Sequence, residues 1–132
     1  MPAPYSGGCQ CGQVRYEITA EPLKLTACHC RECQKQSGSA FGMALWIASG
    51  DLRVRGRLKS YTRTADSGKP MTGVFCPECG VRLYHIPSYD QDIYLLKPGT
   101  LDDTKGLRPT RMVWTRRKQP WVVIPDDIEI VD

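Results

Sequence analysis

Three short clusters of cysteines constrain this chain more than any other feature of its sequence. All seven cysteines fall within residues 9–11, 28–33 and 76–79. A Cys-x-x-Cys pair can turn both of its sulfurs toward one point, and the glycine after Cys79 permits the positive φ that such a turn often needs. Zn²⁺ prefers four soft ligands in a tetrahedron, and two short cysteine pairs that meet in space supply them. The clusters therefore predict metal binding.

Disulfides explain these cysteines less well than a metal does. An odd number of cysteines fits poorly with a complete set of disulfides. Residues 1–6 show neither the basic nor the apolar segment of a secretory signal, so a cytoplasmic location is expected. In a reducing cytosol, closely spaced cysteines are more often metal ligands than disulfides. No stretch approaches the roughly 20 apolar residues of a membrane span, so no membrane partner is expected.

The first and the last cluster can together build one complete four-sulfur set. Its members are Cys9, Cys11, Cys76 and Cys79. A metal held by this set would close a long loop of the chain, which is the role of a structural metal in a small domain. We predict zinc at this site, although tetrahedral sulfur also suits iron.

The middle cluster supplies only three thiols, those of Cys28, Cys30 and Cys33. Three thiolates form an incomplete tetrahedron, and its fourth position would fall to water or to a substrate, as in a catalytic zinc site. The sequence therefore predicts a second zinc ion with an open position. Spacing alone leaves another partition open, in which Cys28 and Cys30 pair with Cys76 and Cys79.

The distribution of apolar residues predicts one mainly β domain over residues 1–132, with one or two short helices. Val14, Tyr16 and Ile18 alternate with polar residues, as in a half-buried strand. Further strands are expected at residues 23–27, 40–47, 71–75, 82–86, 92–96 and 121–124.

Three other segments have distinct predicted structures. Residues 51–64 are expected to form a hairpin that turns at Gly56. Residues 31–37 are polar and unbranched, which predicts a short helix that ends at Gly38. Residues 98–111 are expected to be mostly irregular.

The cysteine clusters and their flanking residues resemble one known family. The segments that carry the resemblance are GGCQCGQVRY at residues 7–16, CHCRECQKQSGSAF at residues 28–41 and FCPECG at residues 75–80. Together they are similar to the glutathione-dependent formaldehyde-activating enzyme family, also called the centromere-protein-V-like family. The resemblance covers roughly residues 6–86 and includes every cysteine.

This resemblance implies an Mss4-like, or β-tent, fold and the same division of the cysteines. Cys9, Cys11, Cys76 and Cys79 would hold a structural zinc ion, whereas Cys28, Cys30 and Cys33 would hold a catalytic one. The implied activity is that of a carbon–sulfur lyase, the reversible condensation of formaldehyde with glutathione to S-(hydroxymethyl)glutathione. The implied partner is a small thiol such as glutathione.

The chain departs from the family pattern near its C-terminus. Many members carry a histidine shortly before a Pro-Trp pair, whereas here Met112 stands before Pro120 and Trp121. The resemblance therefore leaves the thiol and the aldehyde open. His29 could carry a proton near the middle cluster, but neighbours in an extended segment face opposite ways, and we expect its ring to point away.

Two other functions remain open on sequence grounds. The chain could be a non-enzymatic zinc module that binds protein or nucleic acid, or a sensor that uses the reactive thiols. The formal net charge of +4 is weak support for nucleic acid, because thiolates around zinc would cancel much of it. Four cations are candidates for binding glutathione carboxylates, although most charged residues are only solvated surface. They are Arg31, Lys35, Arg111 and Arg116.

Overall fold

The fold is mainly β, as the sequence predicts, and is built from two sheets and one α-helix. The computed structural model describes residues 3–65 and 67–132. Within them α1 spans Arg31–Ser37. The strands are β1 (Tyr5–Gly8), β2 (Arg15–Ile18), β3 (Lys24–Cys28), β4 (Gly42–Ala48), β5 (Leu52–Arg55), β6 (Lys59–Thr64), β7 (Pro70–Phe75), β8 (Arg82–Pro87), β9 (Ile93–Leu96), β10 (Arg111–Val113) and β11 (Glu129–Val131).

The smaller sheet has the strand order β1-β2-β5 and the larger one the order β11-β10-β3-β4-β9-β8-β7-β6. Most neighbouring strands run antiparallel, but β10 lies parallel to both β3 and β11. Short 3₁₀ helices at Ser49–Asp51, Pro98–Thr100 and Thr115–Arg117 connect some of them. No helix in the described part of the chain is both long and apolar enough to cross a membrane.

One apolar core joins the two sheets. The alternating residues of the first predicted strand face it: Val14, Tyr16 and Ile18 are 0%, 4% and 0% exposed. Leu45 and Leu96 of the larger sheet belong to the same cluster. Burying an aliphatic side chain of this kind contributes about 1.5–3 kcal/mol, so this cluster fixes how the sheets pack together.

The expected hairpin at residues 51–64 is wrong, because its two halves belong to different sheets. β5 pairs with β2, whereas β6 pairs with β7. Between them Gly56 adopts a φ of 107°, and a Cβ there would collide with the backbone of Gln13. The alternation and the glycine correctly indicated two strands and a bend, but they carried no information about which strands pair.

The expected last strand at residues 121–124 is also wrong. Val122 N–H donates to the carbonyl of Gln119 in a turn, and the side chains of Trp121 and Val123 are 72% and 87% exposed. The segment forms no strand, although Val122 is buried and Ile124 is half-buried. The last strand is instead β11, in the acidic segment that follows.

The predicted helix is present with its predicted bounds. Cys30 is its N-cap, and its sulfur accepts a hydrogen bond from the N–H of Cys33. Gly38 ends the helix in the left-handed conformation with a φ of 64°, which glycine adopts without the steric penalty of a Cβ. The helix cap is thus itself one of the candidate metal ligands.

Candidate metal and thiol site

The first and last cysteine clusters lie in two similar turns that face each other. Cys9 and Cys11 follow β1, and Cys76 and Cys79 lie between β7 and β8. The Cys9 N–H donates to the carbonyl of Val14 at 3.1 Å, and the Cys76 N–H donates to that of Val81 at 3.0 Å. Each turn contains a glycine in the left-handed conformation, at Gly12 and Gly80.

The four sulfurs are spaced as one metal ion requires. All lie within 4.8 Å of one another, and the Cys9–Cys11 and Cys11–Cys76 Sγ–Sγ distances are 3.6 and 3.8 Å. A tetrahedron with metal–sulfur bonds of ~2.3 Å has edges of about 3.8 Å. The seven cysteines are free thiols rather than disulfides. The donor set therefore fits a tetrahedral metal ion such as zinc.

Hydrogen bonds favour the thiolate form at two of the four thiols, those of Cys9 and Cys76. Burial raises the pKa of the Cys76 thiol, but hydrogen bonds from Gln13 and from the N–H groups of Cys79 and Glu78 outweigh burial and lower the pKa to about 6. The Val14 N–H donates to the Cys9 sulfur at 3.4 Å. Both sulfurs therefore favour the charged state that binds a metal.

Gln13 links this turn to the segment that crosses between the sheets. Its Nε2 donates to the Cys76 sulfur at 3.0 Å and to the Arg57 carbonyl at 2.8 Å, and its Oε1 accepts from the Arg57 N–H at 2.9 Å. Gln13 thus supports both a metal ligand and the fold around it.

We expect Gln13→Ala to lower the free energy of unfolding by about 3 kcal/mol, since it removes three hydrogen bonds that contribute ~1 kcal/mol each. Thermal unfolding of zinc-loaded protein, followed by circular dichroism, measures this change. Gln10→Ala is the matched control, because Gln10 lies in the same turn and is exposed. Equal melting temperatures for the two variants would contradict a supporting role for Gln13.

The middle cluster forms a second, separate group of three thiols. Cys28 ends β3, Cys30 caps α1 and Cys33 lies in its first turn. Their sulfurs all lie within 4.8 Å of one another. The structure therefore contradicts the alternative division of the cysteines, in which Cys28 and Cys30 would share a metal with Cys76 and Cys79.

The three thiols share negative charge unevenly. Hydrogen bonds from the Cys28 and Cys33 thiols lower the pKa of Cys30 to about 2, because they stabilise its thiolate. The same contact with Cys30 raises the pKa of Cys28 to about 11, and contacts with both neighbours raise that of Cys33. One thiolate is thus favoured without a metal, whereas a divalent cation would favour all three.

Gln34 fixes the backbone around this cluster. It is 5% exposed, and its Nε2 donates to the carbonyls of His29 at 2.8 Å and Arg117 at 3.0 Å. Its Oε1 accepts from Gln119 Nε2 at 3.0 Å and from Arg31. The helix and the C-terminal segment are therefore tied together directly behind the three thiols.

The His29 ring packs into the protein, where its Nε2 lies 3.4 Å from the sulfur of Met112. Its ring centroid is 5.1 Å from that of Phe41, and its Nδ1 is buried without a hydrogen-bond partner. Burial, followed by the charge of Lys118, lowers its pKa. His29 and Met112, the departure from the family pattern, are therefore in direct contact.

The sequence-predicted cations mostly have other partners. Arg31 donates to Gln34, Arg111 pairs with Glu129, and the Arg116 guanidinium lies 4.7 Å from the Trp114 ring centre. The fourth candidate, Lys35, lines a cavity along α1, where three further cations that no sequence signal indicates line the same cavity or its neighbour. They are Arg63, Arg82 and Lys97. They lie in β6, in β8 and just after β9, so no local sequence signal groups them.

Comparison with known proteins finds a matching family model, curated relatives and solved structures. The family model of the glutathione-dependent formaldehyde-activating enzyme matches residues 4–117. A protein of Emericella nidulans, provisionally named a glutathione-dependent formaldehyde-activating enzyme, is 33% identical over 78 residues, which are 58% of this chain and 39% of that protein. The chain thus spans well under half of that relative. A crystal structure of a Rhodobacter sphaeroides protein has a TM-score of 0.58 and 26% identity, and covers 79% of this chain and 91% of its own.

Proposed function

Since this chain belongs to the glutathione-dependent formaldehyde-activating enzyme family, we propose that it catalyses the reversible addition of a small thiol, glutathione first, to formaldehyde. The relevant enzyme class is carbon–sulfur lyase. The free thiols suit a reducing compartment such as the cytoplasm.

One observation carries this proposal: the middle cluster is an incomplete donor set. Among the residues that the structure describes, no fourth Cys, His, Asp or Glu ligand atom joins Cys28, Cys30 and Cys33. The other group has its four thiols and needs nothing more. We therefore assign a structural zinc ion to Cys9, Cys11, Cys76 and Cys79, and a catalytic one to the middle cluster. A zinc ion there would offer a fourth position and stabilise a substrate thiol as its thiolate.

The reaction itself requires little else from the protein. The substrate sulfur attacks the carbonyl carbon, a carbon–sulfur bond forms, and the carbon–oxygen π bond breaks. The proton that leaves the thiol ends on the new hydroxyl oxygen, so no redox partner is needed. The chain's own residues hold the two reactants together, which converts a bimolecular encounter into a reaction within one complex.

His29 has no direct part in this proposal. Its ring is fully buried and packs against Met112 and Phe41. We assign it instead to positioning, since it lies between two of the three thiols in the sequence and its backbone N–H donates to the Val113 carbonyl at 3.0 Å. This contact holds the segment between Cys28 and Cys30 against β10.

The two alternative functions make different demands on the middle cluster. A zinc module that only binds protein or nucleic acid would have a closed second site, which a three-thiol set does not support. A sensor would use the same open thiols but would turn over no substrate. Catalytic turnover therefore separates the enzyme from both alternatives.

The test is an exchange measurement with ¹³C-labelled formaldehyde and glutathione at equilibrium. We expect zinc-loaded protein to accelerate exchange between hydrated formaldehyde and S-(hydroxymethyl)glutathione in proportion to its concentration. S-methylglutathione, which lacks a free thiol, should show no exchange. If the zinc-loaded protein accelerates exchange with neither glutathione nor any other thiol in a panel, the proposed function is wrong.

A further inference from the structure

Two cavities lie along α1, the helix that carries Cys33. The inner one has a volume of about 480 Å³ and is lined by Gly42 and Lys97, among others. The outer one, of about 460 Å³, is lined by Arg63 of β6. Gln36 and Arg82 line both cavities. They therefore form one continuous groove, which we call the basic groove.

The inner end of the basic groove reaches the cysteines. A Cβ built on Gly42 would lie 3.4 Å from the Cβ of Cys33 and 3.5 Å from the Nζ of Lys97. Gly42 also pairs with Cys28 across β3 and β4. Because Gly42 has no side chain, the Lys97 ammonium and the Cys33 side chain both approach the same point beside its Cα.

The cations of the basic groove have no anionic partner in the described part of the chain. None of the four ion pairs among the described residues involves a cation of the basic groove. Glu32 lines the outer cavity but pairs with none of them. The Nη1 of Arg63 is buried and has no acceptor. Buried donors without acceptors are rare and unfavourable, so this set of charges is suited to an anion that arrives from solution.

Neighbouring residues hold the Arg82 guanidinium in place. Its Nη1 donates to Nε2 of His85 at 3.1 Å, and a Cβ at Gly73 would overlap the guanidinium. Burial, then the charges of Lys97, Arg82 and Arg63, lower the pKa of His85 to about 3. His85 is therefore a neutral acceptor that orients Arg82, and it adds no positive charge.

We propose that Arg63, Arg82 and Lys97 bind the carboxylates of an acidic thiol whose sulfur reaches Cys28, Cys30 and Cys33. This inference rests on the proposed function and makes it more specific. A planar guanidinium binds a carboxylate through two parallel hydrogen bonds, and Lys97 provides a point charge nearer the sulfur. The protein should then prefer thiols that carry carboxylates, such as glutathione, over neutral or cationic thiols.

The test is the binding of S-methylglutathione to zinc-loaded protein by isothermal titration calorimetry. This ligand keeps both carboxylates but has no free thiol, so it reports on the groove rather than on catalysis. We expect Arg82→Gln to raise Kd at least about 10-fold, since it removes the half-buried guanidinium that would pair with a ligand carboxylate. Gly73→Ala should also weaken binding, because it displaces the guanidinium without removing a charge.

Arg55→Gln is the charge-matched control, because Arg55 is exposed on the smaller sheet, and its Kd should equal that of the wild type. No binding to the wild type, or equal Kd values for wild type, Arg82→Gln and Gly73→Ala, would overturn the proposal. If no thiol is turned over but S-methylglutathione still binds through Arg82, the proposed function fails while the basic groove stands.

Discussion

Replacing Cys76 with serine is expected to leave the protein largely unfolded, even with zinc present. The Cys76 side chain is fully buried, and its sulfur accepts from Gln13 and from the backbone of Glu78 and Cys79. Structural zinc sites contribute about 10–16 kcal/mol to folding, whereas the net stability of a domain is only about 5–15 kcal/mol. Loss of one ligand to this site should therefore remove most of the stability.

Circular dichroism and the amide dispersion in proton NMR spectra measure this loss. Cys30→Ser is the matched control, since Cys30 is also a buried cysteine but belongs to the other group. A Cys76→Ser protein that unfolds cooperatively near the wild-type melting temperature would show that the four-thiol set is not a structural metal site.

Cys30→Ser is expected to have the largest effect on activity. The protein should stay folded, lose about one of two bound zinc ions, and lose activity by about 1,000-fold, equivalent to ~4 kcal/mol of transition-state stabilisation. The physical reason is that Cys30 is the thiol most stabilised as a thiolate, through its contacts with Cys28 and Cys33.

Metal analysis of the purified variant, together with the formaldehyde exchange assay, measures both effects. Gln10→Ala is a useful control, because Gln10 is exposed, lies next to the other cysteine group and offers no thiol. If Cys30→Ser retains two zinc ions per chain, Cys30 is not a ligand and the assignment of the middle cluster is wrong.

The sequence was most informative where the structure depends on near neighbours. The bounds of α1 follow from a short polar segment and from Gly38, which takes the left-handed conformation that ends the helix. The burial of Val14, Tyr16 and Ile18 follows from their alternation. Cysteine spacing within each turn is also local, and it indicated which sulfurs could share one metal.

The sequence was least informative where distant segments meet. Gly56 marks a bend in any arrangement, whereas the pairing of β5 with β2 and of β6 with β7 depends on segments that no local pattern connects. β11 is three residues long and exposed, so its parallel pairing with β10 leaves no pattern of alternation. The apolar residues 121–124 were a stronger local signal, yet they form no strand, and Trp121 and Val123 face solvent.

The basic groove shows the same limit at the candidate site. Arg63, Arg82 and Lys97 lie in β6, in β8 and just after β9, and no spacing rule connects them. Basic residues near the cysteines in sequence were the natural candidates, but Arg31 instead serves Gln34. Strand order in the larger sheet, rather than proximity in sequence, brings the three cations together.

Replacement of zinc by cobalt offers the most direct test of the central claim, that the three-thiol group leaves a ligand position for a substrate sulfur. Cobalt absorbs visible light with an intensity and wavelength that depend on the number of thiolates around it. We predict that glutathione changes the spectrum of the cobalt-loaded wild type in a saturable way and leaves that of Cys30→Ser unchanged. A wild-type spectrum that does not respond to glutathione or to any other thiol would contradict an open position.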